Sequence, residues 1–260
     1  MKVTIIAFLL VAVCSTMAQA QSPALPEMVR VEGGAFIMGD TSATVDSAAL
    51  PLHKVTVKSF RMARTETTVA QWQVFCNATS RLMPDPPKWG WADNHPIVNV
   101  SWEDAVAYCK WLSDSTKKTY RLPTEAEWEF AARGGKNSKG FYYSGGQAMY
   151  MLGWFDENSN SSTHAVAQKR PNELGLYDMS GNVWEWCQDW FGPYTAGEKV
   201  NPQGAPVTPD THQFKVLRGG SWNYVLEGCR NGRRNFFDAA SRQSAVSYTH
   251  LRAHETGRNL

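Results

Sequence analysis

The sequence predicts a single compact α+β domain with short strands, three main helices and little other regular structure. Three observations point there. The chain opens on short alternating apolar stretches, three later segments carry helix-start signals, and from Lys136 to about Lys215 Gly, Asn, Ser and Pro recur every few residues. The composition agrees: 11 Trp, 11 Phe and 9 Tyr stand beside 20 Gly in 260 residues. Aromatic rings supply much buried area per residue, so such a chain holds together with a largely irregular backbone.

In chain order, Met28–Val31 and Gly33–Gly39 read as two short strands around a glycine turn, and His53–Val57 alternates as a third. At Thr68 the period changes. Thr68 with Gln71 makes a capping box, and Val69, Trp72 and Cys76 fall on one helical face. A second helix starts at Ser101 with Trp102, Ala105, Val106 and Cys109 on one stripe. Each helix thus turns a cysteine inward, and Cys76 and Cys109 meet in a disulfide only where the two helices pack side by side. A third helix follows Arg121-Leu122-Pro123, with Thr124 and Glu127 as its capping box and Gly134-Gly135 as its stop. The long Gly/Asn/Ser/Pro stretch beyond it reads as loops and short strands, and loops of that length in a compact domain are usually functional.

Residues 1–20 read as a signal peptide: Lys2, an apolar run from Ile5 to Val13, and the small-residue site Ala18-Gln19-Ala20. The mature chain then begins near Gln21, and the protein is expected to be exported: periplasmic, cell-surface or secreted. No other stretch approaches the roughly 20 apolar residues of a transmembrane helix. Net charge is +2 with both signs interspersed, so there is no basic stripe for a phosphate backbone and nucleic acid is not an expected partner. Without Cys14 the mature chain keeps Cys76, Cys109, Cys187 and Cys229, an even number that allows disulfides in an oxidising compartment.

Five blocks, in this order, carry a family resemblance: Gly33–Gly39 (GGAFIMG), His95–Trp102 (HPIVNVSW), Arg121–Glu129 (RLPTEAEWE), Gly175–Trp186 (GLYDMSGNVWEW) and Arg218–Trp222 (RGGSW). They resemble the motif series of the formylglycine-generating enzyme, or sulfatase-modifying factor, family over about Met28 to Gln243. The resemblance implies a fold related to C-type lectins, with the domain over residues 21–246. It also implies a chemistry. In the family's enzymes a pair of cysteines binds copper and uses oxygen to convert a cysteine of a client sulfatase to formylglycine, and two thiolates suit Cu(I), a soft ion.

Here the sequence departs from the family. Where the enzymes carry two cysteines five residues apart, this chain has Tyr224 and Cys229. A phenol is a hard ligand and, with an ordinary pKa of about 10, is protonated at neutral pH. Cys229 is either the remaining copper ligand or a buried structural thiol beside a ligand groove. The resemblance places Trp184, Ser221 and Trp222 along that groove, so Cys229, Ser221, Trp184 and Tyr224 are the candidate catalytic residues and Cys229 the candidate copper ligand. A related branch forms sulfoxide bonds with non-haem iron held by histidines. The six histidines here show no paired helical spacing to support that chemistry.

For calcium the resemblance implies the side chains of Asp178 and Glu185 with the carbonyls of Gly181 and Val183. Two carboxylates bracketing a glycine turn suit an ion that takes six to eight oxygens. A second, upstream site is transferred only as far as Asn158. The alternative for Asp178 and Glu185 is loop capping or ion pairing. After Val246 the chain is polar, without strand alternation, where the family closes on a strand ending Gly-Phe-Arg. Residues 247–260 therefore read as a tail of doubtful origin, and one sheet edge is expected to stay unpaired. The functional expectation is a calcium-stabilised module binding a polypeptide or a glycan. The alternatives are a sulfatase-modifying oxidoreductase and a structural subunit of a cell-envelope assembly of gliding or secretion type.

Overall fold

A computed structural model describes residues 25–41, 47–206, 214–247 and 250–253. The expected signal peptide, residues 1–20, lies outside these residues. Four strands come first: β1 (Met28–Val31), β2 (Gly34–Met38), β3 (His53–Val57) and β4 (Phe60–Ala63). Then follow α1 (Val69–Thr79), α2 (Trp102–Thr116), β5 (Tyr120–Arg121) and α3 (Glu125–Ala132). The remainder supplies β6 (Trp184–Trp190), β7 (Lys199–Val200), β8 (Phe214–Arg218), β9 (Asn235–Asp238), β10 (Val246–Ser247) and β11 (Arg252–Ala253), joined by loops and single 3-10 turns. The α+β class with three helices and short strands is the one observed.

The helices begin where capping chemistry puts them. Thr68 Oγ1 accepts from the Gln71 amide while Gln71 Oε1 accepts from the Thr68 amide. Thr124 and Glu127 do the same for α3, and Ser101 with Asp104 adds a third box on α2. Each cap satisfies amides that otherwise have no partner in the first turn, an effect of about 1 kcal/mol apiece.

The strands form three sheets in the orders β1-β4-β11-β5, β10-β6-β8-β9 and β2-β3-β7. β1 and β2 are the two strands read around the glycine turn, and they do not pair with each other. β1 pairs antiparallel with β4, and β2 pairs antiparallel with β3. Gly33 sits at the crossing between these two sheets, where a Cβ would lie 2.5 Å from the Ser59 amide nitrogen and the Val57 carbonyl. The end of the domain differs from the sequence expectation. Arg252–Ala253 inserts between β4 and β5, hydrogen-bonding both, and β10 runs parallel to β6. The part of residues 247–260 that is described is therefore built into the domain, and the sheet edge expected to be unpaired is filled. Polar residues suffice because a two-residue strand between two others needs backbone pairing and no apolar alternation.

Cys76 and Cys109 enter one apolar cluster with Trp72, Phe75, Tyr108 and Leu112, so α1 and α2 do pack side by side. Both cysteines are nonetheless free. The Cys76 thiol turns to the Leu82 carbonyl instead, and burial pushes the Cys109 thiol up to about 12.

α3 is buried on every side, its three glutamates included. Buried carboxylates persist only when paired, and each of these meets arginine. Glu125 accepts from Arg218 at 2.8 Å and from Arg234 at 2.7 and 2.9 Å. Glu127 takes Arg121 in a two-pronged pair, and Glu129 takes Arg218 at 2.6 Å and Arg133. Asp189 of β6 completes the α3 N-terminus by accepting the Glu125 amide at 3.0 Å. Burial, reinforced by the Glu125 charge, pushes the Asp189 carboxyl up to about 8.

A carboxyl whose folded pKa is raised adds stability at low pH and loses it as pH climbs through the folded value. For Asp189 the window runs from about pH 4 to about 8. Asp189→Asn keeps an acceptor for the Glu125 amide and removes the titration. Thermal melts across this range are expected to show the variant gaining on the wild type by at least about 1 kcal/mol toward the alkaline end. A difference that stays constant with pH would remove Asp189 as the titrating group.

Candidate functional site

The Arg218–Trp222 block leaves β8 and turns sharply at two glycines, φ +99° at Gly219 and +79° at Gly220. A Cβ on Gly220 would lie 2.5 Å from the Cys229 sulfur, so glycine is what lets the turn lie against the thiol. Cys229 ends a 3-10 turn, Leu226–Cys229, and is fully buried with Tyr143, Met149, Leu152 and Phe155. Burial pushes its thiol well up, more than the hydrogen bond from the Ser221 backbone lowers it. The sulfur is therefore a protonated, weakly polar core group at neutral pH.

Tyr224, where the family's enzymes have their first cysteine, lays its ring across Gly228. A Cβ there would lie 2.1 Å from the Tyr224 ring. The ring meets Trp184 edge to face at 5.3 Å. Trp184 itself is buried and belongs to the core under α1 and α2. Ser221 is buried too, its hydroxyl 2.8 Å from Asn223 Oδ1. Trp222 is half-buried, donates its indole N–H to the Ser244 carbonyl and meets Trp89 edge to face at 5.0 Å. The four candidate catalytic residues thus do come together, and the arrangement is an aromatic wall over a thiol sealed from solvent. Cys187 offers no second sulfur, because it packs in a different core cluster beneath β3 and α3. One protonated thiol and a phenol do not make a Cu(I) site.

The Gly175–Trp186 block folds against this turn. The Gly181 amide donates to the Gly219 carbonyl at 2.8 Å, and Asp178, Gly181 and Asn182 all take positive φ. Asp178 is buried, and burial raises its carboxyl to about 6. One of its oxygens accepts the Ala167 amide at 2.7 Å, and the other, Oδ1, is buried with no hydrogen-bond partner. Glu185 is fully engaged: the Trp128 indole donates to it at 2.8 Å and His250 Nδ1 lies 2.9 Å away. Burial opposes a charged His250 ring, but the Glu185 carboxylate more than offsets this, so its pKa is raised. Asp178 thus keeps one carboxylate oxygen outside any hydrogen bond, whereas an indole and an imidazole hold the Glu185 carboxylate. Among the described residues no group of three or more His, Cys, Asp or Glu is arranged to hold a metal. Asn158 closes a local turn, accepting from the Phe155 amide and donating to the Gly153 carbonyl.

Two participants were not readable from motifs. Glu66, just before the α1 cap, is buried and accepts from the Asn182 side chain and the Val183 amide. Burial, then the charges of Asp178 and Glu185, push its carboxyl well above the ordinary range. His250 lies in the stretch that reads in sequence as a tail of doubtful origin. Neither has a local signal, since each is defined by a partner more than about 60 residues away.

Comparison with known proteins matches this geometry. Residues 14–248 fit the profile of the sulfatase-modifying factor enzyme 1-like domain. The chain is 33% identical to a formylglycine-generating enzyme of Streptomyces coelicolor, over 83% of each protein. It is 30% identical to the chaperone protein LppX of Paenibacillus barcinonensis, over 80% of this chain and 82% of that one. Among solved structures, Treponema denticola variable protein 1 superposes with a TM-score of 0.74 at 27% identity, covering 88% of this chain and 95% of the other. With five ordered motif blocks, one domain profile and relatives aligned along most of their length, this chain belongs to the formylglycine-generating enzyme (sulfatase-modifying factor) family.

Proposed function

We propose that this protein is an exported, non-oxidase member of the family whose domain binds a polypeptide. The observation that supports this reading is the state of Cys229: a single thiol, fully buried and protonated, with Tyr224 in place of its partner. An oxidase that works on a client cysteine needs a soft ligand pair open to that client, and neither condition is met. What remains at the surface is an aromatic wall of Trp89, Trp222 and Tyr224, the side-chain type that provides contact area for polypeptides at low entropic cost. The similarity to a protein named as a chaperone points the same way. The similarity to a formylglycine-generating enzyme favours a sulfatase-type polypeptide as the client class. Calcium stays within the proposal on one observation, the partnerless buried oxygen of Asp178.

Three outcomes are expected. Purified protein with copper and oxygen leaves a sulfatase-type cysteine peptide without aldehyde, and Tyr224→Cys raises Cu(I) affinity. Formylglycine detected by an aldehyde-reactive probe with the unchanged protein would restore the enzyme reading. Calcium raises the melting temperature, since a ligand at a hundredfold excess over its Kd stabilises by about 2.7 kcal/mol, and Asp178→Ala abolishes the rise. Identical melts in calcium and in EDTA would remove the site. Finally, the intact mass of native protein corresponds to a start near Gln21, and retention of the preceding residues would overturn export through that signal.

A further inference from the structure

Beside the aromatic wall lies a cleft of about 620 Å³, lined by the loop after α1, Asn99 of the His95–Trp102 block, the start of α2 and Arg242. α1 ends on Ser80 in the left-handed conformation, which folds the chain back so that the Arg81 amide reaches the Cys76 carbonyl and its guanidinium lies over the Phe75 ring at 5.4 Å. Arg242 enters from the opposite side, its Nη1 3.3 Å from the Asn99 carbonyl. Both guanidiniums face one carboxylate, Asp104. That carboxylate already accepts the Ser101 amide in the α2 capping box and pairs with Arg242. Arg81 is left at 3.6 Å from Asp104 Oδ1, beyond hydrogen-bonding distance, with its side chain 47% exposed. A guanidinium carries five N–H donors, and here it is oriented by an aromatic face and an ion pair while its donors stay open to the cleft. Leu82 and Met83 supply apolar wall, and Asp85 adds a carboxylate to the lining, so the cleft as a whole is dipolar.

We propose that this cleft is a subsite for an acidic side chain of the bound polypeptide, with Arg81 as the residue that selects it. The proposal rests on the polypeptide-binding reading above and adds the chemistry of the client. Continuity supports a single binding surface. Arg242 lines the cleft, Gln243 accepts the Asn99 amide, and Ser244 accepts the Trp222 indole, so cleft and aromatic wall are joined by three consecutive residues. Three residues span at most about 10 Å. A polypeptide lying along Trp222 therefore reaches the Arg242 side of the cleft within a few of its own residues, and Asp104 alone separates Arg242 from Arg81. An extended strand carrying a carboxylate fits both halves, and the second carboxylate of the cleft, Asp85, disfavours ligands that are anionic throughout.

The test uses two fluorescein-labelled peptides, one with a single glutamate flanked by apolar residues and its glutamine counterpart, with fluorescence polarisation on the mature protein at fixed low salt. The glutamate peptide is expected to bind about tenfold more tightly, the scale of one charge-assisted hydrogen bond. Arg81→Gln should erase that difference while leaving glutamine-peptide binding and the melting temperature unchanged. Arg81→Lys should retain part of it, and Trp222→Ala should weaken both peptides. Equal binding of the two peptides, or a preference that survives Arg81→Gln, overturns the subsite and leaves polypeptide binding standing. Binding of neither peptide overturns both readings. A sulfated oligosaccharide held through Arg81 by a protein that ignores the peptides makes the cleft a glycan site and overturns the proposal.

Discussion

α3 is a helix with no solvent face, and it carries glutamate at three of its eight positions. An unpaired carboxylate in such a place would cost several kcal/mol, so the fold is obliged to deliver guanidinium groups to it from several directions. Arg121 arrives from β5, Arg218 from the end of β8, Arg234 from the approach to β9, and Arg133 from the helix's own terminus. Arg252 of β11 adds a further contact to Glu127 at 3.3 Å. These arginines are drawn from sequence positions 121 to 252, so the pairing fixes α3 relative to two of the three sheets, β1-β4-β11-β5 and β10-β6-β8-β9. Removing one partner leaves an uncompensated charge, whereas the matched set is close to neutral in its net contribution. The network therefore acts more as a specification of one arrangement than as a source of stability.

The candidate site inherits its geometry from that network. Arg218 is pinned to Glu125 and Glu129, and the next two residues are the glycines whose positive φ values turn the chain over Cys229. The Asp178–Glu185 loop is then stacked on Gly219 and tied by Glu185 to Trp128, a residue of α3 itself. Two motif blocks that look like separate sites in the sequence are thus two faces of one turn. The same construction keeps the Cys229 sulfur out of water, which suits a domain that retains the family scaffold without the family's paired thiols.

Legibility in the sequence followed locality. The starts of α1 and α3 were written in Thr68/Gln71 and Thr124/Glu127, because a capping box acts over three residues and needs nothing from the rest of the chain. The motif blocks carried the fold and the gathering of Trp184, Ser221, Tyr224 and Cys229. Strand partners were not legible: β1 and β2 are neighbours in sequence and lie in different sheets, and Gly33 marks their crossing, not a hairpin. Glu66 and His250 were missed for the same reason, since a buried carboxylate or imidazole is recognised by partners that only the tertiary fold brings near. The thiols of Cys76 and Cys109 shared a core as their periodicity implied, but sharing a core does not aim two sulfurs at each other.

The placement of β11 has a consequence for how the molecule is made. Its two residues separate β4 from β5, with Met62 opposite Arg252, partners about 190 residues apart in the chain. Until the segment around Arg252 is available, β4 carries an open hydrogen-bonding edge, and α2 together with β5 has no sheet to complete. Closure at such sequence separation carries a large loop entropy and is slow. The early-synthesised third of the chain thus waits as an incomplete sheet, and that interval is when aberrant strand pairing competes with native assembly.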